Sequence, residues 1–550
     1  MHKVLKLHSK DNVIVALQNL KAGDEIEFEG NTYTIQHDID AKHKFVTEDL
    51  GIGDSVIMYG VLVGKAIQPI KKGSQITTFN LKHESEDYST AKRQPYSWTP
   101  PNVDKWKDRT FWGYHRSDGS VGTRNYWLVV PLVFCENRNI LIMKDAFERE
   151  LGYAQPETYR NQVHELVELY KSGGDISASL KTEAIEKSEI SNPKSKLFPN
   201  IDGIKFLTHE GGCGGTRQDA NTLCNLFAAY ANNPNVAGIT VLSLGCQNAE
   251  YQIFMDAVKK RNPNFDKPIL FFEQQKGTEF ELLSDAIRAT FLGLIEANKI
   301  ERKPAPLSKL NVGLKCGGSD GFSGISANPA IGHLSDIIVA LGGRTLLAEF
   351  PELHGVEQEL LNRCETEEKA AKFEKLMRDY SDKASAIGSA FAFNPSPGNI
   401  KDGLITDAIK SAGAAKKGGN APIVDVLNYT ETPTKQGLHL VCTPGNDVEA
   451  VTGKTASGAT ITLFTTGLGT PTGNPICPVV KISTNDALAQ KMHDVIDFNC
   501  GSIISGEETI DQNAERLLEW VIGLANGEYV THAERLGQDD FIPWKRGVSL

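Results

Sequence analysis

The chain has 550 residues, enough for two to four domains at the usual size of about 100–200 residues each. Its 40% hydrophobic and 23% charged residues describe an ordinary folded protein and exclude disordered, collagen-like and repeat-array architectures. With 58 basic against 69 acidic residues the net charge is −11, which excludes nucleic acid as the main partner but leaves room for a small anionic ligand held by local arginines.

The opening MHKVLKLHSKDN lacks the apolar block of a signal peptide, and the longest strongly apolar run, 126–134, is about half a bilayer span. Nine scattered cysteines, an odd number, do not resemble a secreted disulfide framework. A cytoplasmic protein with reduced thiols and no membrane partner is expected. Residues 1–84 read as short strands at 12–17, 25–28, 32–36, 55–58 and 61–67, separated by glycine turns, which predicts a small all-β clip domain. Residues 85–108, with Pro95, Pro100 and Pro101 and little periodicity, read as an extended linker. Beyond it, apolar β-runs alternate with amphipathic helices, predicting an α/β core with largely parallel sheets in two units, 109–305 and 306–550. Strands are expected at 126–133, 204–208, 239–244, 269–272, 311–314 and 460–464. Leu283, Ile287, Phe291 and Leu294 mark one stripe of a helix. The charged, proline-containing stretch 301–308 interrupts the pattern and sets the second boundary.

Four cysteines follow directly on apolar β-runs: Cys135, Cys213, Cys246 and Cys316. The carboxyl ends of parallel strands form the ligand-binding edge of a sheet, and the glycines beside these cysteines allow backbone to approach a ligand. Cys213, Cys246 and Cys316 are therefore candidate metal ligands, since soft thiolates suit iron; the alternative is that each is a small core residue. His209, just before Cys213, is a candidate ligand or proton carrier. GLGTPTG at 467–473 has the wrong spacing for a dinucleotide turn, and Val448 stands where a phosphate loop ending at Gly453-Lys454-Thr455 needs glycine, so NAD and ATP are rejected as primary cofactors.

At these residues the chain resembles the altronate/galactarate dehydratase family of sugar-acid lyases. The matching strings are GYHRSDGSVGTRN (113–125), HEGGCGG (209–215), LGCQ (244–247), KCGGSDGFSGISANPAIG (315–332), NPSPGN (394–399) and LFTTGLGTPTGNPICPVVK (463–481). The first module looks like the family's β-clip (SAF-like) domain. The resemblance implies dehydration of an aldonic or aldaric acid to a 2-keto-3-deoxy acid, most closely D-altronate to 2-dehydro-3-deoxy-D-gluconate. Galactarate dehydration, sulfite elimination from a sulfonated hydroxy acid and non-catalytic sugar-acid binding are the alternatives. Implied with it are iron, as Fe2+ or an iron–sulfur cluster, or manganese, and a homo-oligomer such as a dimer. The chain departs from the expected strings at ITTFN, with Thr77 and Phe79 in place of two histidines and His83 a little downstream, at DGLITDAIKSAG (402–413) and at VCTPG (441–445).

Such chemistry needs a base for the C2 proton, stabilisation of an enediolate and an acid for the departing C3 hydroxyl. His43 and Lys44 are the β-clip's candidate proton carriers. Arg124, Arg217 and Lys315 are candidate clamps for the substrate carboxylate, with Asn125 beside the first of them. Ser319 and Asp320, set between glycines, are candidates for binding substrate hydroxyls or metal, the alternative being that they shape a turn.

Overall fold

A computed structural model describes residues 3–155, 158–179 and 196–547. Two parallel sheets organise the core. In the smaller, Tyr126–Pro131 (β1), Gly203–Phe206 (β2), Val236–Ser243 (β3) and Ile269–Glu273 (β4) lie in the order β2-β1-β3-β4. Strand β1 shows why such runs read as near-continuous apolar sequence: both its faces are covered. Tyr126, Leu128 and Val130 pack on one side with Phe227 and Tyr230, while Trp127 and Val129 pack on the other with Ile140 and Leu294.

The larger sheet has seven parallel strands: Asn311–Cys316 (β5), Arg344–Ala348 (β6), Ile423–Leu427 (β7), Gly437–Val441 (β8), Ile461–Thr466 (β9), Val479–Ser483 (β10) and Phe498–Asn499 (β11). Their order is β7-β8-β6-β5-β9-β10-β11, so β5 is central, with β6 on one side and β9 on the other. The chain reverses direction across the sheet there, which opens a crevice beyond the carboxyl end of β5, where ligands bind in open α/β sheets. Cys316 is the last residue of that strand.

The N-terminal β region carries strands at Val13–Ala16, Glu25–Phe28, Asn31–Thr34, Lys44–Val46, Ser55–Met58 and Val61–Ala66. It is bound to the larger sheet's unit by a shared apolar cluster: Val13, Val46, Val56, Met58 and Val63 pack with Phe322, Ile325, Leu404, Ala408 and Ile409. The proline-rich segment after it is extended but held. The Thr90 amide donates to Glu374 at 2.8 Å, the Tyr96 hydroxyl to the carbonyl of Asn420 at 2.6 Å, and Trp106 is buried with its indole donating to Glu519 at 2.9 Å. The stretch 301–308, read as an interruption, contains the strand Lys303–Pro306, which pairs antiparallel with Thr110–His115. Its two prolines are tolerated because it is an edge strand of that three-stranded sheet. Among the described residues no helix is long and apolar enough to cross a membrane.

One glycine marks how closely the β-clip meets the core. Gly403 has φ +91°, and a Cβ there would lie 2.5 Å from the carbonyl oxygen of Lys42. Gly403→Ala should therefore lower stability by about 1–3 kcal/mol in urea unfolding and expose 85–108 to protease. Gly388→Ala, at φ +76° with open space around it, should leave 85–108 protected.

Candidate active site

The crevice beyond β5 is lined by buried charge. Lys315 Nζ contacts Glu349, lies 2.8 Å from Asp447 and donates to the Cys316 carbonyl at 2.7 Å. Burial opposes its charge, but Glu349, Asp447 and Glu352 hold its pKa well above the ordinary lysine range. Glu352, equally buried, is kept ionised by Lys410, Lys315 and Lys417 despite its desolvation. The Cys316 thiol donates to Glu352 at 3.4 Å, and Lys417 Nζ donates to the same sulfur at 2.7 Å. Lys410 reaches Glu352 at 3.4 Å and Asn394 at 3.0 Å. Glu349 itself sits at φ +72°, a left-handed conformation costly for a side chain of its kind and most often found where function requires it.

The β-clip closes this basin from the other side. Lys42 Nζ lies 3.1 Å from Asp320 and 3.0 Å from Asp402, and Lys44 Nζ donates to the carbonyl of Gly403 at 2.7 Å. Lys44 is 1% exposed, and that burial pushes its pKa down to about 7 against the pull of Asp320. Asp320 also accepts from Ser323 at 3.0 Å and Thr484 at 3.1 Å, so its carboxylate is a fixed anchor for the module. Ser319 is buried beside it with a hydroxyl that has no protein partner, and its carbonyl accepts from Asn399 at 2.8 Å.

The remaining residues singled out from sequence are placed elsewhere or otherwise engaged. His43 uses both ring nitrogens: Nε2 donates to the Lys401 carbonyl at 3.0 Å and Nδ1 accepts from Gln75 at 2.8 Å, which fixes a neutral imidazole bridging β-clip and core. His209 is likewise committed, with Nε2 to the Pro131 carbonyl at 2.8 Å and Nδ1 to the Gly211 amide at 2.9 Å, and burial pushes its pKa down to about 4. Arg124 is buried in an ion pair with Glu534 at 2.7 Å and donates to the carbonyls of Thr123 and Leu524. Asn125 donates to the Asn200 carbonyl at 2.8 Å and accepts from Arg116 at 2.9 Å. Arg217 is exposed at the start of its helix.

The three cysteines are not assembled. Cys213 and Cys246 are exposed on loops at the carboxyl edge of the smaller sheet, where those loops meet through a 3.0 Å bond from Ala249 N to Gly212 O. Cys316 is buried at the carboxyl end of the central strand of the other sheet. The cause is topological: strand-end cysteines gather only when their strands share a sheet, and these strands belong to two. Among the described residues two groups bring metal-type donors within 4.8 Å of one another, Cys316 with Glu349 and Glu352, and His83 with His354 and Asp407. The first is already neutralised by Lys315 and Lys417. The second holds buried donor atoms with no hydrogen-bond partner and fits a divalent ion. A groove of about 610 Å³ between Arg109, Arg516, Trp520 and Tyr529 contains none of these groups.

Sequence reading missed Glu349, Glu352, Lys410 and Lys417. The available signal was two carboxylates immediately after the apolar run Thr345–Ala348 in LLAEFPEL, the same strand-end position that drew attention to the cysteines.

Three family patterns match in chain order: Altronate/galactarate dehydratase SAF domain over 2–84, D-galactarate dehydratase/Altronate hydrolase second domain over 113–298, and D-galactarate/Altronate dehydratase C-terminal over 307–549. Altronate dehydratase of Bacillus subtilis (strain 168) is 32% identical across 100% of both chains. Altronate dehydratase of Escherichia coli (strain K12) is 31% identical across 99% of both. Galactarate dehydratase (L-threo-forming) of Escherichia coli (strain K12) is 30% identical over 97% of this chain and 94% of that protein.

The placement of Arg124 yields a direct test. Arg124→Ala strands Glu534 as an unpaired buried charge and should cost about 3–5 kcal/mol of stability in denaturant unfolding. A substrate clamp would instead show an unchanged unfolding midpoint and a raised KM.

Proposed function

The chain belongs to the altronate/galactarate dehydratase family, and from that premise we propose that it is a hydro-lyase converting D-altronate to 2-dehydro-3-deoxy-D-gluconate. The observation that carries the mechanism is Lys44, a buried amine whose pKa falls to about 7 at the seam between β-clip and core. A lysine in that state is part neutral at physiological pH and serves as a general base.

Lys44 takes the proton from C2, and the electron pair of that bond delocalises into the substrate carboxylate. The ammonium groups of Lys410 and Lys417 lie in the basin to stabilise the enediolate, in a setting where burial strengthens the attraction. The C3–oxygen bond then breaks. The ammonium formed on Lys44 protonates the leaving hydroxide, water departs, and the enol product tautomerises to the 2-keto acid. Ser319, with its unpartnered buried hydroxyl, is available to bind a substrate hydroxyl. A divalent metal, when bound, supplies Lewis-acid stabilisation, and His83, His354 and Asp407 are the donors that would hold it. Because Lys44 is buried, substrate entry requires the seam to open, as in other enzymes closed by a second module.

Substrate identity is tested by incubating iron-supplemented protein with a panel of aldonates and aldarates and trapping 2-keto acids with semicarbazide. D-Altronate should give product. Product from galactarate alone would reassign the substrate within the family, and no product from any acid would overturn the reading. The base is tested by pH: kcat/KM should rise through about pH 7 as Lys44 loses its proton. Lys44→Met should lose about 10²–10⁴-fold in kcat together with that limb of the profile. An unchanged limb in the variant would assign the base elsewhere.

A further inference from the structure

His83, His354 and Asp407 come from separate parts of the chain and converge where the β-clip meets the larger sheet's unit. His83 follows the β-clip strand Leu81–Lys82, His354 ends the turn Phe350–Leu353, and Asp407 opens the helix Asp407–Ala415. One donor atom from each lies within 4.8 Å of the other two, and the two imidazole rings are 5.5 Å apart. Ligand atoms held at about 2.1 Å from a common ion sit about 3.0–3.4 Å apart, so modest side-chain rotation closes the set.

The group is incomplete as it stands. Asp407 is 1% exposed, and neither of its carboxylate oxygens has a hydrogen-bond partner; the buried Nδ1 of His83 has none either. Buried polar groups are almost always partnered, so three orphaned atoms in one place need a ligand to account for them. The helix start does not supply it, because the Ile409 amide there is capped by the Thr406 hydroxyl, not by Asp407. The contrast with Cys316, Glu349 and Glu352 is instructive, since buried lysines already balance that set.

His354 is further prepared for coordination. Its Nδ1 is 2.9 Å from Glu357, whose other oxygen accepts from the Gly355 amide at 2.7 Å. A carboxylate fixing Nδ1–H in this way leaves Nε2 as the free donor, the outer arrangement typical of metal-bound histidine.

We infer that His83, His354 and Asp407 form a site for one divalent first-row transition ion, Fe2+, Mn2+ or Zn2+, that joins the β-clip to the C-terminal unit. Two imidazoles and one carboxylate select these ions over Mg2+ and Ca2+, which prefer all-oxygen sets. Three protein ligands leave positions open for an oxygen of an incoming molecule. Ion binding stands apart from the sugar-acid reading; only the use of the open positions in turnover rests on it.

The test uses the full chain, stripped with chelator and dialysed anaerobically against Fe2+, Mn2+ or Zn2+, with metal content and thermal midpoint as readouts. Wild type should bind one ion per chain and melt at a higher temperature when loaded. His83→Ala, His354→Ala and Asp407→Asn should each weaken binding by about 10-fold or more. Cys213→Ser, Cys246→Ser and Cys316→Ser should bind as wild type does. Co2+ loading gives a second readout, d–d absorption bands that His83→Gln alters even where the alanine variant folds poorly. An unloaded wild type, or full occupancy with unshifted affinity in the three ligand variants, overturns the site. Normal loading with no keto-acid product would leave the site standing and remove the dehydratase reading alone.

Discussion

The clamp of two lysines onto two loops of the core holds the β-clip in place. Lys42, in the turn before a short β-clip strand, and Lys44, at the start of that strand, are received by Asp320, Asp402 and the Gly403 carbonyl, beside the central strand of the seven-stranded sheet. The backbone of Lys42 is left-handed at φ +78°, so the clamp is itself held in a conformation the rest of the fold must enforce. The charged groups around Cys316 lie in the core beside this seam. That charge is buried, and low polarity strengthens every interaction inside.

The enclosed basin is unusual in composition for a protein interior. Lys315, Lys410, Lys417 and Lys454 are buried together with Glu349 and Glu352. Buried ion pairs of this kind contribute little net stability compared with apolar packing, because desolvation offsets most of the attraction. In the proposed mechanism their value is in chemistry: fixed ammonium groups facing a crevice would stabilise a developing dianion without having to reorganise. Lys454, pushed by burial to a pKa of about 7, and Lys44, pushed to the same range, show that not every amine there carries its charge at neutral pH. The site thus divides its lysines between cations and potential bases by environment alone.

Much of the scaffold was legible from the sequence. The strands at Glu25–Phe28 and Ser55–Met58 are found at the expected residues, and β1, β3, β4, β5 and β9 near theirs, because each is an alternating or continuous apolar run bounded by turn residues. Strands β8 and β10 were not read, since each carries a polar residue in a fully buried position. His439 in β8 pairs through Nδ1 with the Gly437 carbonyl, and Lys481 in β10 donates to the Thr472 carbonyl, partners that a periodicity argument does not register. The site was legible in part. Lys44, singled out in the β-clip, and Lys315, Ser319 and Asp320, singled out in a glycine-rich string, lie at the crevice, but Glu349, Glu352, Lys410 and Lys417 join it through contacts distant in sequence. Cysteines at strand ends were a sound cue to sheet edges, yet sequence did not reveal that two separate sheets supply those edges.

The central claim is that ligand is bound where the β-clip and the seven-stranded sheet meet, not at the cysteine-bearing edge of the smaller sheet. Hydrogen–deuterium exchange on the intact protein with and without D-altronate reads this directly, because closure of the seam over ligand protects backbone amides on both of its sides. The account predicts slowed exchange in segments 42–46, 316–323 and 399–407 together. Protection confined to 209–215 and 244–249, with the seam unchanged, would contradict it.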